Sequence, residues 1–100
     1  MSEEIVRNEL LPFNDWSEER IAQGRKKCTS RTKKYVDDPR VDFITEKIPL
    51  KFIKKYFYGD GFEGADSPEE LQRVINGIFR KEVSEDRGFY VHFGDFKEEK

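Results

Sequence analysis

The clearest hydrophobic pattern along the chain predicts a helix from Pro68 to Arg80. Its apolar residues recur every three or four positions and form a single stripe, which consists of Leu71, Val74, Ile75, Ile78 and Phe79. Ser67 is a favourable N-cap, and Glu70 three residues later completes a capping box. The sequence therefore predicts where this helix begins and which of its faces is buried.

Two shorter helices are predicted before it. The first, Trp16 to Gln23, follows Asp15, which can cap a helix, and precedes Gly24, which favours a helix stop. In the segment "PLKFIKKYFY" apolar residues recur at helical spacing, which predicts a second helix from Pro49 to about Tyr56.

Alternation of apolar and polar residues predicts the strands. In "FYVHF", apolar residues at positions 89, 91 and 93 alternate with Tyr90 and His92, as expected for a strand with one buried face. "VDFITEKI" and "CTSRT" are also predicted strands, and "LLPF" is a further short one. This order of strands and helices indicates the α+β class, with a small mixed or antiparallel sheet.

The 100 residues are predicted to form a single domain with flexible termini at residues 1–9 and 95–100. No apolar run approaches the roughly 20 residues of a membrane-spanning helix, and the start does not have the pattern of a signal peptide. A lone cysteine, Cys28, is typical of a reducing compartment. We therefore expect a cytoplasmic protein with no membrane partner. The sequence does not set the oligomeric state, and our expectation is a monomer.

Charged residues make up 40% of the chain and nearly cancel to a net charge of -2, but they are segregated. Residues 25–40 contain seven Lys or Arg and two acids, whereas residues 59–70 contain five acids and no base. This distribution predicts a locally positive edge. The stretch "GRKKCTSRTKKY" could be a solvated loop, a phosphate-binding patch, or a site where a lysine and a hydroxyl react.

Several side chains are candidates for chemistry. If the basic stretch is extended, successive side chains point to opposite faces. Lys27, Thr29 and Arg31 then share one face, and Lys26, Cys28 and Ser30 share the other. One His and one Cys give no metal-ligand spacing, so we predict neither a metal site nor a cofactor. We interpret His92 as structural and Cys28 as a packed thiol. One or two aromatic rings could stack on unpaired bases, from a cluster of Tyr35, Phe52, Tyr56, Phe57, Tyr58 and Phe62.

Four motifs resemble a known family. They are "LPF..W...RI..GRKKCTSRTKKY", "IPL..I..YFYGDGF", "SPEEL" and "YVHF", and together they extend from Leu11 to Phe93. They resemble the ASCH domains of the PUA-like superfamily. The resemblance implies one ASCH-like domain: a small PUA-like β-barrel, abbreviated or partly open, with about three flanking helices and a cleft that accepts RNA or a nucleoside.

The family motif Gly-x-Lys-x-x-Thr-x-Arg falls on Gly24, Lys26, Thr29 and Arg31. One branch of the family is an amidohydrolase of N4-acetylcytidine. For that branch the resemblance implies that Lys26 activates the hydroxyl of Thr29 and that Arg31 fixes the site or the substrate. It also implies a later acid, for which Asp60 is our first choice and Glu63 the fallback.

Our leading hypothesis is an RNA- or nucleoside-binding ASCH domain with a basic cleft, which acts in RNA metabolism. Its expected partner is RNA or a modified nucleoside, bound by Arg25, Lys27, Arg31, Lys33, Lys34 and Tyr35. The first alternative is a hydrolase that deacylates N4-acetylcytidine through Lys26, Thr29 and Asp60. The second alternative is a protein-interaction module. The sequence leaves open whether the protein is an enzyme.

Overall fold

Three helices and five strands lie within residues 4–97, the part of the chain that the computed structural model describes. In chain order they are β1 (Ile5–Val6), α1 (Asp15–Ala22), β2 (Cys28–Arg31), β3 (Lys34–Tyr35), β4 (Val41–Pro49), α2 (Leu50–Tyr56), α3 (Pro68–Phe79) and β5 (Gly88–Gly94). The α+β class predicted from the sequence is confirmed.

The strands form two separate sheets. The larger is antiparallel in the order β2-β5-β4, and the smaller pairs β1 with β3 in parallel. Thr29 lies opposite His92 in one ladder, and Ile48 lies opposite Phe89 in the other. Backbone ladders do not close these strands into a barrel within residues 4–97. Strand β2 is an edge strand of the larger sheet, so one side of it is open to other contacts.

The main core lies between the larger sheet and helices α2 and α3. Strand β5 contributes Phe89 and Val91 to one hydrophobic cluster, and α2 contributes Leu50 and Ile53. Of the stripe predicted on α3, Leu71 and Ile75 are buried in this cluster and Phe79 packs against it. The predicted burial of Ile78 is wrong, because this side chain is 60% exposed near the end of the helix. A second, smaller cluster contains Leu11, Ile21 and Phe96. The alternation seen in "FYVHF" thus correctly predicted which residues of β5 join the main core.

The three predicted helices are confirmed, and their observed ends differ from the predicted ones by at most one residue. Helix α1 begins at Asp15, because Asn14 is its cap and accepts a hydrogen bond from the backbone N–H of Ser17 at 2.8 Å. Ser67 caps α3 as predicted, by accepting from the backbone N–H of Glu70 at 3.1 Å. The Glu70 carboxylate instead accepts from the backbone N–H of Asp66, so the predicted capping box is not closed.

Sequence patterns located the short strands and the chain ends less well. "LLPF" forms no strand, whereas β1 and β3, which were not predicted, pair with each other. Of the predicted flexible termini, Ile5–Val6 forms β1 and Phe96 is buried in the smaller cluster. The rest of that prediction falls partly on residues 1–3 and 98–100, which lie outside the described residues. None of the helices within residues 4–97 has the length and apolar character needed to cross a membrane.

Candidate functional site

A cavity of about 620 Å³ lies where the free edge of β2 meets α1 and α3. Its polar end is lined by residues of the basic stretch and of the acidic turn: Lys26, Thr29, Ser30, Arg31 and Glu63. Its other walls include large apolar side chains: Trp16, Leu71, Ile75, Phe79 and Phe89. A cavity with these two kinds of wall suits a ligand that is flat or apolar in one part and polar in another.

The polar end contains an ion pair between Lys26 and Glu63. The Lys26 Nζ lies 2.6 Å from Glu63 Oε1, and the two side chains are 2% and 4% exposed. Backbone pairing brings them together, because Lys26 bridges to Phe62 and the backbone N–H of Lys27 donates to the carbonyl of Phe62 at 2.7 Å. A buried charge is stable only with such a partner.

Ser30 shares the carboxylate with Lys26. Its Oγ donates to Glu63 Oε2 at 2.6 Å, so each carboxylate oxygen has a donor. The cause is strand geometry: Lys26 and Ser30 are four residues apart in an extended segment and lie on the same face. Lys26, Ser30 and Glu63 therefore form one hydrogen-bonded group, which we call the carboxylate triad.

Thr29 lines the cavity but is not part of the carboxylate triad. Its hydroxyl accepts from Arg31 Nε at 3.3 Å, and its backbone lies opposite His92 in the ladder with β5. The structure thus places Thr29 on the face of β2 opposite Lys26. Among the described residues, no hydrogen bond joins Lys26 to the Thr29 hydroxyl.

Asp60 does not approach Lys26. Its carboxylate accepts from Arg25 Nε at 2.8 Å, and its side chain is 70% exposed. Asp66 also accepts from the Arg25 guanidinium, and these hydrogen bonds raise the pKa of Arg25. The acid at Lys26 is Glu63, the fallback, because the turn carries Phe62 and Glu63 against the basic stretch while Asp60 stays at its tip.

Arg31 connects the cavity to the N-terminal segment. Its guanidinium donates to the carbonyl of Pro12 and lies 5.2 Å from the Phe13 ring centroid and 5.9 Å from that of Tyr35. Desolvation by burial lowers the pKa of Arg31. Arg31 therefore holds the cavity wall in place as well as supplying positive charge to it.

The fold separates the residues predicted to bind RNA or a nucleoside. Arg31, Lys33 and Tyr35 line the cavity, whereas Arg25, Lys27 and Lys34 do not. Arg25 is neutralised by two acids, and the Lys34 ammonium lies 5.3 Å from the Tyr90 ring centroid. The positive charge beside the cavity is thus smaller than the sequence suggested.

His92 and Cys28 are packed inside the protein. His92 Nε2 accepts from the backbone N–H of Tyr35 at 3.0 Å, and Nδ1 lies 3.1 Å from the carbonyl of Tyr90, to which it can donate. Burial lowers the pKa of His92, and burial raises the pKa of the Cys28 thiol well above its ordinary value. A neutral imidazole and an unionised thiol agree with the structural roles predicted for both.

Two residues of the site were not among the predicted site residues. Ser30 was recognisable from strand alternation, because it shares a face with Lys26. Trp16 gave no such signal; it lines the cavity, and within residues 4–97 its buried indole Nε1 has no hydrogen-bond partner. The guanidinium of Arg20 covers this ring at 4.1 Å from its centroid.

Fold and site together define a small α+β protein with a cavity that has a polar and an apolar end. Comparison of the chain with protein-family models, curated proteins and solved structures finds no match. No group of three or more His, Cys, Asp or Glu side chains in the described part of the chain is arranged to hold a metal ion. Inference about function therefore rests on the geometry of the site.

Proposed function

We propose that the chain binds a nucleoside, free or as an unpaired base of RNA, in the cavity beside the carboxylate triad. The observation that carries this proposal is the joint presence, in one cavity, of a buried hydrogen-bonded polar end and a wall of large apolar side chains. A nucleoside has matching chemistry, since the faces of its base are apolar while its base edge and ribose carry donors and acceptors. The cavity volume is in the usual range for small-molecule sites.

We also propose that the chain is related to the ASCH domains. In this proposal its two sheets correspond to an open form of a PUA-like barrel. It is supported by the positions of three motif residues, because Lys26, Thr29 and Arg31 all line the cavity. The unpaired indole N–H of Trp16 also supports a ligand there. A buried donor without a partner costs about 1–3 kcal/mol, which an acceptor on a ligand would offset.

The charge around the cavity favours a ligand that inserts a single base. Arg31 and Lys33 line it, and Lys33 is exposed, so this lysine suits the phosphate next to an inserted base. RNA metabolism is accordingly the proposed setting.

Trp16 provides a direct test, because it is the single tryptophan of the chain and lines the cavity. Titration with cytidine or N4-acetylcytidine should change its fluorescence to saturation. The double variant Lys26→Gln, Glu63→Gln should bind about tenfold or more weakly, because a hydrogen bond to a charged group contributes about 1.5–3 kcal/mol. Lys81→Gln, which removes an exposed lysine that does not line the cavity, is the control. Absence of saturable binding by any nucleoside would refute the proposal.

A second candidate function is amide hydrolysis, and the observation that favours it is the 2.6 Å hydrogen bond from Ser30 to Glu63. Ser30 Oγ would attack the amide carbonyl carbon while its proton passes to Glu63. The C–N bond would then break, with Glu63 returning the proton to the amine. Water would finally hydrolyse the ester on Ser30 and release the carboxylic acid. Here Lys26 holds Glu63 in position.

Cleavage of N4-acetylcytidine to cytidine and acetate tests this candidate and distinguishes the two hydroxyls. If Ser30 is the nucleophile, Ser30→Ala abolishes turnover and Thr29→Ala retains it. The opposite result would support the nucleophile that the family resemblance implied. If both variants stay active, or if the unaltered protein is inactive, hydrolysis by this site is excluded.

A further inference from the structure

Six aromatic side chains form a continuous group away from the cavity. They are joined pairwise by ring centroid distances between 4.7 and 6.3 Å. We call this group the aromatic patch, and it consists of Phe43, Phe52, Tyr56, Phe57, Phe62 and Phe93. Within the described chain, none of the six lines the cavity.

Three rings of the aromatic patch are unusually exposed. Phe43 is 59% exposed, Phe52 42% and Tyr56 52%. Phe52 and Tyr56 are four residues apart on α2, which places them side by side with centroids 4.7 Å apart. Single exposed apolar residues are ordinary, but a contiguous group of exposed rings is typical of an interaction site.

The charge beside the two exposed rings of α2 is positive. Helix α2 has the sequence LKFIKKY, with three lysines and no acid. Lys51 and Lys54 pair with Asp86 and Glu85, whereas Lys55 has no ion pair among residues 4–97 and its Nζ lies 5.3 Å from the Tyr56 ring centroid.

A second lysine, Lys27, lies on the other side of the aromatic patch. The backbone N–H of Lys27 donates to the carbonyl of Phe62, and the carbonyl of Lys27 accepts from Gly94, the neighbour of Phe93. The Lys27 side chain is exposed. Lys27 and Lys55 therefore flank rings that belong to β5, to the turn after α2 and to α2 itself.

We propose that the aromatic patch is a binding site for a single-stranded polynucleotide. Exposed rings stack on bases of any sequence, and lysines beside them attract the phosphates, which is the usual combination in proteins that bind single strands. Phe52 and Tyr56 stack on successive bases, while Lys55 and Lys27 contact the backbone. Double-stranded segments are excluded, because their base faces are already stacked on one another.

This site does not depend on the proposed function, since it shares no residue with the cavity. The two would act together only if one strand reached both places. Binding at the aromatic patch can therefore be measured separately from nucleoside binding in the cavity.

Fluorescence anisotropy with a short labelled oligouridine, the matching oligothymidine and a duplex of equal length tests the proposal. We expect the single strands to bind and the duplex to bind much more weakly. Binding of either single strand supports the site, and the comparison shows whether ribose matters. Phe52→Ser and Tyr56→Ser should each weaken binding about tenfold, the typical effect of losing one stacked base. Leu10→Ser is the matched control, because Leu10 is 60% exposed and lies outside both sites.

The salt dependence of oligonucleotide binding measures the contribution of charge. Lys55→Gln should reduce the slope of log affinity against log salt by about one, whereas Lys81→Gln should leave it unchanged. Equal affinity for duplex and single strand would overturn the proposal. So would unchanged affinity in the variant Phe52→Ser, Tyr56→Ser. Self-association that this variant abolishes would instead assign the aromatic patch to contact between copies of the chain.

The tests of the two sites are distinguishable. The variant Phe52→Ser, Tyr56→Ser should leave the Trp16 fluorescence titration with free nucleoside unchanged. If the unaltered protein shows no fluorescence change with nucleoside, the proposed cavity ligand is refuted. The proposal for the aromatic patch still holds in that case, provided that the unaltered protein binds the oligonucleotide and the variant does not.

Discussion

At the scale of single residues, the carboxylate of Glu63 organises the polar end of the cavity. Lys26 donates to one of its oxygens and Ser30 to the other, and both contacts are 2.6 Å long. Ions removed from water lose several kcal/mol of hydration, which close pairing and further hydrogen bonds must offset. Neither charge of this pair can therefore be removed alone without leaving the other buried and unpaired.

This arrangement leads to a prediction for stability. Lys26→Met should lower the free energy of unfolding by about 3–5 kcal/mol, because Glu63 loses its buried partner. The double variant Lys26→Met, Glu63→Leu should recover most of the loss. Urea unfolding measures both. Arg25→Gln is the control, since the two ion pairs of Arg25 with Asp60 and Asp66 lie at the surface, where water screens them, and its effect should be much smaller. A Lys26→Met effect as small as the control would contradict the interpretation.

His92 leads to a prediction for the effect of pH. Burial lowers its pKa from 6.5, and the nearby charge of Arg31 acts in the same direction, although Asp38 and hydrogen bonds to the backbone oppose it. Below about pH 6.5 the unfolded chain therefore binds more protons at this residue than the folded chain does. The contribution of His92 is fully present above that pH and is lost as the pH falls.

The measurement is the urea midpoint between about pH 8 and 5, where carboxylates titrate little. It should decrease toward the acidic end in the unaltered protein. In His92→Gln, whose overall stability should be lower, the decrease should be smaller. An equal pH dependence in the two proteins would show that another group is responsible.

At the scale of elements, strand β2 shows how much of the site was available from the sequence. Alternation alone placed Lys26 and Ser30 on one face and Thr29 and Arg31 on the other, as the structure has them. The family resemblance, by contrast, selected Thr29 as the partner of Lys26. Local geometry was the better guide here, because the period of a strand does not depend on the rest of the fold.

The close backbone contact between Gly94 of β5 and Arg40, the residue before β4, leads to a prediction for stability. A Cβ atom on Gly94 would lie 2.0 Å from the carbonyl oxygen of Arg40, which belongs to the backbone and cannot turn away. Gly94→Ala should therefore lower the free energy of unfolding by about 1–3 kcal/mol or more. Gly77→Ala is the matched variant, since a Cβ at this position of α3 meets no atom within 4 Å.

Gly77→Ala should raise stability by about 0.5–1 kcal/mol, because alanine favours the helix. Thermal unfolding of both variants distinguishes the two effects. The account of the β4–β5 contact is refuted if Gly94→Ala is as stable as the unaltered protein.

At the scale of the whole molecule, Asp38 ties the N-terminal segment to the rest of the chain. It accepts from the backbone N–H of Leu11 at 2.9 Å and from the backbone and side chain of Arg40. Arg40 in turn donates to the carbonyl of Leu11 at 3.1 Å. Pro12 and Phe13, which line the cavity, follow directly after Leu11, so Asp38 supports the cavity wall from a distance.

A prediction for acid stability follows from this connection. Burial alone would raise the pKa of Asp38, but hydrogen bonds from Arg40 and from the backbone N–H groups of Leu11 and Arg40 outweigh it and lower the pKa from 3.8 to about 2. The stabilisation is fully present above about pH 4 and is lost as the pH falls toward 2. Asp38→Asn should cost about 1–3 kcal/mol near neutral pH.

Acid unfolding followed by circular dichroism checks this prediction. Asp38→Asn should show a weaker dependence of stability on pH below about 4 than the unaltered protein. Asp42→Asn, at an exposed position, is the control and should behave like the unaltered protein. An identical acid response in Asp38→Asn would show that this carboxylate does not govern it.

The fold also changes how the charged segments of the sequence are interpreted. The basic and acidic segments appeared as separate blocks, and the sequence predicted a positive edge. In the fold they pair with each other: Arg25 binds Asp60 and Asp66, and Lys26 binds Glu63. Much of the expected positive edge is thereby neutralised, because residues 35 or more positions apart meet across the turn after α2.

The sequence by itself determined the α+β class, the three helices, the buried face of β5 and the two faces of β2, because each depends on local periodicity and capping. It could not determine the pairing of β1 with β3, whose strands are two residues long and too short for a period to be visible. Only the tertiary structure decided that Glu63 rather than Asp60 meets Lys26, and that Trp16 lines the cavity. Those contacts join segments distant in the chain, and their geometry is set by packing rather than by any local pattern.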